Sequence, residues 1–187
     1  MKNFKVRDFM MTTEQLTTIP ETANIYEAAD IFDRAQRNLE PDEFRYRALL
    51  VVDKNGQGVG KLSLLDIIAG LEPRYSQVEP IKMSRFGMTQ EQLQSIFLQY
   101  GLWESSLVNL CKQADGIIVG DIMDTPNESE LVHEDQSLSF AVHQFATGRH
   151  HNLVVHDAKG EITGLLRLAD VYRIIRDELM ECQMKGV

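Results

Sequence analysis

The sequence predicts an α/β (α+β) protein made of two β-α-β-β-α repeats packed through their sheets, with a helical insertion between them. Three observations predict this. Val6-Arg7-Asp8-Phe9-Met10 returns as Val119-Gly120-Asp121-Ile122-Met123. Leu49-Leu50-Val51-Val52-Asp53-Lys54-Asn55-Gly56 returns as Leu153-Val154-Val155-His156-Asp157-Ala158-Lys159-Gly160. Each copy then closes on a glycine followed six residues later by an aspartate, Gly60 to Asp66 and Gly164 to Asp170. An internal repeat fixes which positions are equivalent before any residue is given a role. The resulting organisation is a first repeat over 1–71, an insertion over 72–116, and a second repeat with a C-terminal helix over 117–187.

The elements follow in order. Ile25, Ala28, Ala29, Phe32 and Ala35 share one face at helical spacing. Asn24 caps that helix, and Glu27 completes a capping box. In the second copy the helix reads Leu138, Ala141, Val142 and Phe145, with Ser137 as its cap. Ala48 to Val52 is an apolar run too short for a helix and is read as a buried strand. Asp53-Lys54-Asn55-Gly56 is turn chemistry, with residues tolerant of positive φ. Gln57 to Leu62 is the return strand, and Ser63 opens a helix whose apolar content is Leu64, Leu65, Ile67, Ile68 and Leu71. Neither repeat alone has a large core, so the two are expected to share one. Phe32 corresponds to Phe145, 113 residues on, but Asp53 corresponds to Asp157, 104 residues on. The first repeat therefore carries nine extra residues, around Arg37 to Phe44, as an enlarged loop or helix extension before its central strand.

The roughly 45 residues from Glu72 to Gly116 exceed what a linker needs. Pro73, Pro80 and Gly87 make the first part irregular. Thr89 and Gln92 form a capping-box pattern, Leu93, Ile96, Phe97 and Tyr100 form an apolar stripe, and Gly101 is a helix stop. A second helical run holds Leu102, Trp103, Leu107, Leu110 and Cys111. Such a hairpin packs either on the chain's own core or on a partner.

Composition narrows the function classes. A formal net charge of −9 disfavours nucleic acid and anionic membrane surfaces, both of which call for a basic face. It leaves room for a small anionic ligand held by a local group of cations. No apolar run approaches the roughly 20 residues of a membrane helix, and the N-terminus lacks the features of a secretory signal. Cys111 and Cys182 fit neither a disulfide framework nor a zinc spacing, so a reducing cytoplasm is the expected setting. His133, His143, His150, His151 and His156 show no metal-ligand spacing. His150 and His151, adjacent on a strand, would point to opposite faces; beside Arg149 they are either phosphate contacts or part of a solvated turn. No Gly-x-Ser-x-Gly, Walker loop or dinucleotide glycine fingerprint occurs, and an enzyme is not expected.

The order Val-x-Asp-x-Met, amphipathic helix, Leu-Val-Val-Asp-x-x-Gly and Gly-x-x-x-x-x-Asp, present twice, resembles the CBS domain. Two copies in one chain resemble a CBS pair, or Bateman module. The resemblance spans about residues 4 to 71 and 117 to 180.

The closing motif is where a ligand would sit. In Gly60-Lys61-Leu62-Ser63-Leu64-Leu65-Asp66 a strand end meets a helix start, whose free N–H groups favour phosphate. Ser63 adds a hydroxyl, and Asp66 offers acceptor oxygens suited to a ribose. The resemblance implies an adenosine-containing ligand, with Ser63 near phosphate and Asp66 on ribose. A helix-capping pair explains the same two residues without any ligand. In the second copy Asp170 is kept, but Arg167 stands where Ser63 does. Arg167 either contacts an anion, fills the pocket, or pairs with an acidic neighbour. The resemblance places base recognition at Thr18, Ile19 and Pro20 with Arg47 and Ala48 in the first copy. In the second copy it places it at Leu131 and Val132 with His151 and Asn152. For the apolar residues among these, core packing is the competing reading.

The functional expectation is a stand-alone regulatory module binding an adenine nucleotide (AMP, ADP or ATP) in clefts between the repeats. It would signal through conformation or assembly as a homodimer, and through an effector protein not identified by sequence. The alternative is a structural dimerisation module that binds no ligand and acts through the helical insertion.

Overall fold

Residues 4–37, 48–78, 88–104 and 110–185 are described by the computed structural model. Strands β1 (Met11–Thr12) and β2 (Thr18–Pro20) precede helix α1 (Ile25–Arg37). Then come β3 (Ala48–Val52), β4 (Gly58–Ser63) and α2 (Leu64–Gly70). The insertion contributes α3 (Gln90–Tyr100) and α4 (Leu110–Ala114). The second repeat is α5 (Val119–Ile122), β5 (Leu131–His133), α6 (Leu138–Gly148), β6 (Asn152–His156), β7 (Ile162–Arg167) and α7 (Leu168–Lys185). The nine-residue enlargement of the first repeat falls mostly, and Arg47 entirely, outside the described residues.

Capping starts the helices where the sequence places them. The Asn24 side chain accepts from the Glu27 N–H at 2.9 Å, while Glu27 accepts from the Asn24 N–H at 2.8 Å. Ser137 accepts from the Phe140 N–H at 3.3 Å to start α6. Each repeat's strands then alternate faces with period two. Leu49, Val51 and Leu62 join Ile19, Ala28 and Phe32 in a core under α1. Leu153, Val155 and Leu166 join Val132, Leu138 and Phe145 in the equivalent core under α6. Leu50 points the other way and meets Leu16, Val154 and Leu165 in a third core shared by both repeats.

The seven strands run β2-β3-β4-β7-β6-β5, with β1 added on β7. The halves meet at the antiparallel pair Gly58 and Ile162. One ladder contact contributes about 1 kcal/mol. Each fully buried aliphatic side chain of the shared core contributes about 1.5–3 kcal/mol. Apolar packing joins the repeats together with the backbone hydrogen bonds of the crossing segments.

The opening motif of each repeat packs on the other one. Val6 is fully buried in the core of the second repeat, and its N–H donates to the Gln136 carbonyl at 2.9 Å. Val119 is fully buried in the core of the first repeat, and its N–H donates to the Ala23 carbonyl at 2.8 Å. The segments that follow each motif cross to the opposite sheet, Met11 beside Leu165 and Asp124 beside Lys61. This crossing explains the motif glycines. A side chain on Gly60 would meet the Asp124 carbonyl oxygen at 2.8 Å, and one on Gly164 would collide with the Met11 carbonyl.

The insertion is anchored by a buried carboxylate. Glu72, only 1% exposed, accepts from Arg74 Nε and Nη2 at 2.7 Å each and from the Trp103 backbone N–H at 2.7 Å. The Trp103 indole donates to the Tyr75 hydroxyl at 3.1 Å. Thr89 and Gln92 form the expected capping box of α3, and Gly101 stops it with φ +57°. Of the second helical run of the insertion, Leu102 and Trp103 lie in the turn after α3, Trp103 itself at φ +57°, while Leu110 and Cys111 belong to α4. Leu107 lies outside the described residues. The apolar stripe is also less covered than expected, because Leu93 and Phe97 are about half exposed. On α2, Leu64, Leu65 and Ile68, part of that helix's apolar content, are likewise exposed. No helix among the described residues is long and apolar enough to cross a membrane.

Candidate functional site: a cleft between the repeats

Strand β4 ends at Ser63 and hands the chain to α2. The Ser63 N–H and hydroxyl both donate to Asp66 Oδ2 at 2.7 Å, and the Asp66 N–H donates back to Ser63 Oγ at 3.3 Å. The capping explanation of this pair is therefore satisfied in full. It leaves Asp66 Oδ1 without a hydrogen bond among the described residues. Burial, outweighing the Ser63 hydrogen bonds, pushes the Asp66 carboxyl above its usual range.

Ser63 and Asp66 face a cleft of about 380 Å³ whose opposite wall comes from the second repeat, through His150, His151 and Asn152. Leu64 and Leu65 complete the near wall. The cleft thus unites Ser63, Asp66, His151 and Asn152, four of the sequence-selected residues. His150 and His151 do not point to opposite faces of a strand as their adjacency suggested. Both precede β6, which begins at Asn152, and both line the same cleft.

The cleft floor escaped the sequence reading. Lys61 Nζ donates to Asp124 Oδ2 at 2.5 Å and to Glu130 Oε1 at 2.7 Å. Glu130 Oε2 also accepts from Asn127 Nδ2 at 2.8 Å, and His150 Nδ1 lies 3.7 Å from Glu130 Oε1. Burial opposes the charge on Lys61, but the two carboxylates outweigh it and hold the ammonium above the usual lysine value. Burial likewise opposes the Glu130 charge, and Lys61 outweighs it, so Glu130 lies below the usual range. The available signal was a lysine inside a strand whose equivalent is Leu165, since buried lysines occur almost only when paired.

The remaining sequence-selected residues are placed as follows. Ile19 is fully buried under α1 and Val132 is buried under α6, so both occupy the packing role and neither lines the cleft. Thr18 is exposed on β2, and Ala48 is buried at the start of β3. Arg167 and Asp170 pair with each other: Nε donates to Oδ2 at 2.5 Å and Nη2 to Oδ1 at 2.8 Å. Pairing with an acidic neighbour is one of the three roles the sequence left open for Arg167. No group of three or more metal-ligating side chains converges among the described residues.

The repeat order, the crossed opening motifs and the inter-repeat cleft make one pattern. The sequence signature of the CBS domain matches residues 6–72 and 119–177. The chain belongs to the CBS domain family. Its fold is that of solved CBS-pair proteins. CBSX2 from Arabidopsis thaliana superposes with a TM-score of 0.59 at 21% identity, covering 95% of this chain and 97% of that one. CBSX2 in complex with AMP gives a TM-score of 0.58 at 20% identity, covering 94% and 98%. The CBS domain of a bacterial CNNM/CorC family Mg2+ transporter, in complex with ATP, gives 0.56 at 16% identity, covering 91% and 86%. No curated protein matches the chain by sequence. At these identities the likeness of this CBS pair to its neighbours is one of fold.

Proposed function

We propose that this CBS pair is a regulatory, non-catalytic module that binds an adenosine-containing nucleotide of the AMP, ADP or ATP type. The site is the cleft between Ser63-Asp66 and His151-Asn152. The open Oδ1 of Asp66 carries this reading, because Asp66 lines the cleft and keeps one acceptor oxygen available to a ligand hydroxyl. The AMP and ATP complexes of neighbouring folds support the ligand class. Binding shifts conformation or assembly only through differential affinity for two states. The module acts as a homodimer through the exposed apolar faces of α2 and α7, and its output passes to an effector protein.

A thermal-shift panel of AMP, ADP, ATP, NAD and S-adenosylmethionine tests this. At a hundredfold excess over Kd a ligand adds about 2.7 kcal/mol, worth roughly 5–10 °C in a chain of this size. Asp66→Ala removes most of that shift. Absence of any shift across the panel refutes the reading.

A second reading has its own observation. The Ser63–Asp66 cap is complete without a ligand, while α3 exposes Leu93, Phe97 and Leu98. A structural module acting through the insertion then shows no nucleotide response, and it loses assembly when that face is made polar.

A further inference from the structure

We infer that the two clefts of this CBS pair are not equivalent, and that Arg167 closes the second one, so each chain takes a single nucleotide. This rests on the adenosine reading of the first cleft. The internal repeat makes the comparison direct, since Ser63 and Asp66 correspond to Arg167 and Asp170.

In the first repeat the cap uses one oxygen of Asp66 and leaves the other open. In the second, both oxygens of Asp170 are taken by the Arg167 guanidinium, at 2.5 and 2.8 Å. The two side chains are more than four-fifths buried, with 18% and 16% exposure. A ribose seeking Asp170 must displace a bidentate guanidinium–carboxylate pair and replace it with bonds from neutral hydroxyls, which bring no counter-charge. The exchange also gives up the two short guanidinium contacts that Asp170 makes in a largely buried setting. Nothing comparable opposes a ribose at Asp66.

The floors differ in the same direction. Lys61, Asp124 and Glu130 correspond to Leu165, Met11 and Thr17. The correspondence is structural as well as sequential. The Val154 N–H donates to the Glu130 carbonyl as the Leu50 N–H donates to the Thr17 carbonyl. The first cleft therefore has charged groups at its floor, and the second has a buried leucine in place of the lysine.

Isothermal titration of the full chain with AMP reads the stoichiometry. The expected value is one site per chain. Arg167→Ser restores the first repeat's Ser-x-x-Asp arrangement and is expected to raise it to two; Arg167→Thr serves as a second variant with the same hydroxyl. In parallel, AMP shifts the amide NMR signals of Ser63 to Asp66 in the wild-type chain and leaves those of Arg167 to Asp170 in place. Two sites in the wild-type chain overturn the inference, as do shifts at Arg167 to Asp170. Unchanged stoichiometry in both variants, each folded by its amide spectrum, overturns it as well. If the wild-type chain binds no AMP while Arg167→Ser binds one, closure by Arg167 stands and the reading of the first cleft falls. Binding by neither protein refutes both.

Discussion

At the scale of single residues, one half-buried and one buried charge set what the cleft can do. Asp66 is held above its ordinary value of about 3.9 by burial, against the Ser63 hydrogen bonds. The sign follows. A raised carboxyl pKa means that ionised Asp66 costs stability at neutral pH, and that this cost disappears as pH falls through the raised value. A ribose hydroxyl donating to Oδ1 favours the ionised form. Adenosine affinity is therefore full near neutrality and weakens as pH falls through the raised Asp66 pKa, by up to about tenfold per pH unit below it. Titration calorimetry from neutral pH downward reads this, and Asp66→Asn flattens the profile. Adenosine is the suitable probe because a phosphate group titrates near pH 6 itself.

Lys61 is the other such residue. Lys61→Met leaves Asp124 and Glu130 side by side without their cation. Breaking a fully buried pair costs about 3–5 kcal/mol. The Asp124 side chain is 37% exposed, which reduces the expected loss to roughly 1–3 kcal/mol in urea denaturation. Lys61→Leu combined with Glu130→Thr copies the second repeat's own pairing and recovers most of it. An equal loss in both variants would show that the charge cluster is not what Lys61 contributes.

At the scale of elements, the insertion is held by Glu72. The Arg74 hydrogen bonds, against burial, hold its carboxyl below the usual glutamate range. The anchor is thus at full strength above the ordinary glutamate pKa and is lost as pH falls through the depressed one. Glu72→Gln removes the charge from both Arg74 contacts and costs about 1–3 kcal/mol. Trp103 is the only tryptophan in the chain, so its fluorescence reports the anchor directly. A red shift in Glu72→Gln is expected, and an unchanged spectrum would place the anchor elsewhere.

The elements were legible in the sequence wherever local chemistry decides them. Asn24-Glu27, Ser137 and Thr89-Gln92 start their helices as their side chains dictate, and β3 and β6 follow their apolar runs. What was not legible depends on contacts distant in sequence. Gly60 and Gly164 were noticed for a spacing to aspartate, while the structure shows that each makes room for a backbone arriving from the opposite repeat. Trp103 reads as a helix residue until the buried Glu72 claims its N–H. The Lys61 cluster draws its members from β4 and from the approach to β5, which no local pattern brings together. Of the candidate site, the Ser63-Asp66 motif was readable because it is local. The pairing of Arg167 with Asp170 needed coordinates, because three roles were open to it.

At the scale of the whole molecule, the exposed apolar faces carry the prediction on assembly. Leu64, Leu65 and Ile68 on α2 and Leu168 and Tyr172 on α7 are all more than a third exposed. Leu64 and Leu168 are equivalent by the repeat, as are Ile68 and Tyr172, so the chain presents two related faces. A second copy turned about a two-fold axis can cover both at once. Leu65→Glu with Ile68→Glu is expected to convert a dimer to a monomer in light scattering, with the circular dichroism unchanged. A wild-type chain that is monomeric at all concentrations rules this out.

The crossed opening motifs also set a timetable for synthesis. Val6 leaves the ribosome early, yet its place is among Val132, Leu138 and Phe145, which are made more than a hundred residues later. The first repeat in turn waits for Val119 to close its core. At roughly 5–20 residues per second, neither half is complete until at least several seconds after its own first residues emerge. The nascent first half spends that interval with an unfinished core, so translation speed between codons 72 and 124 governs how long the newborn chain remains exposed to aggregation and to chaperones.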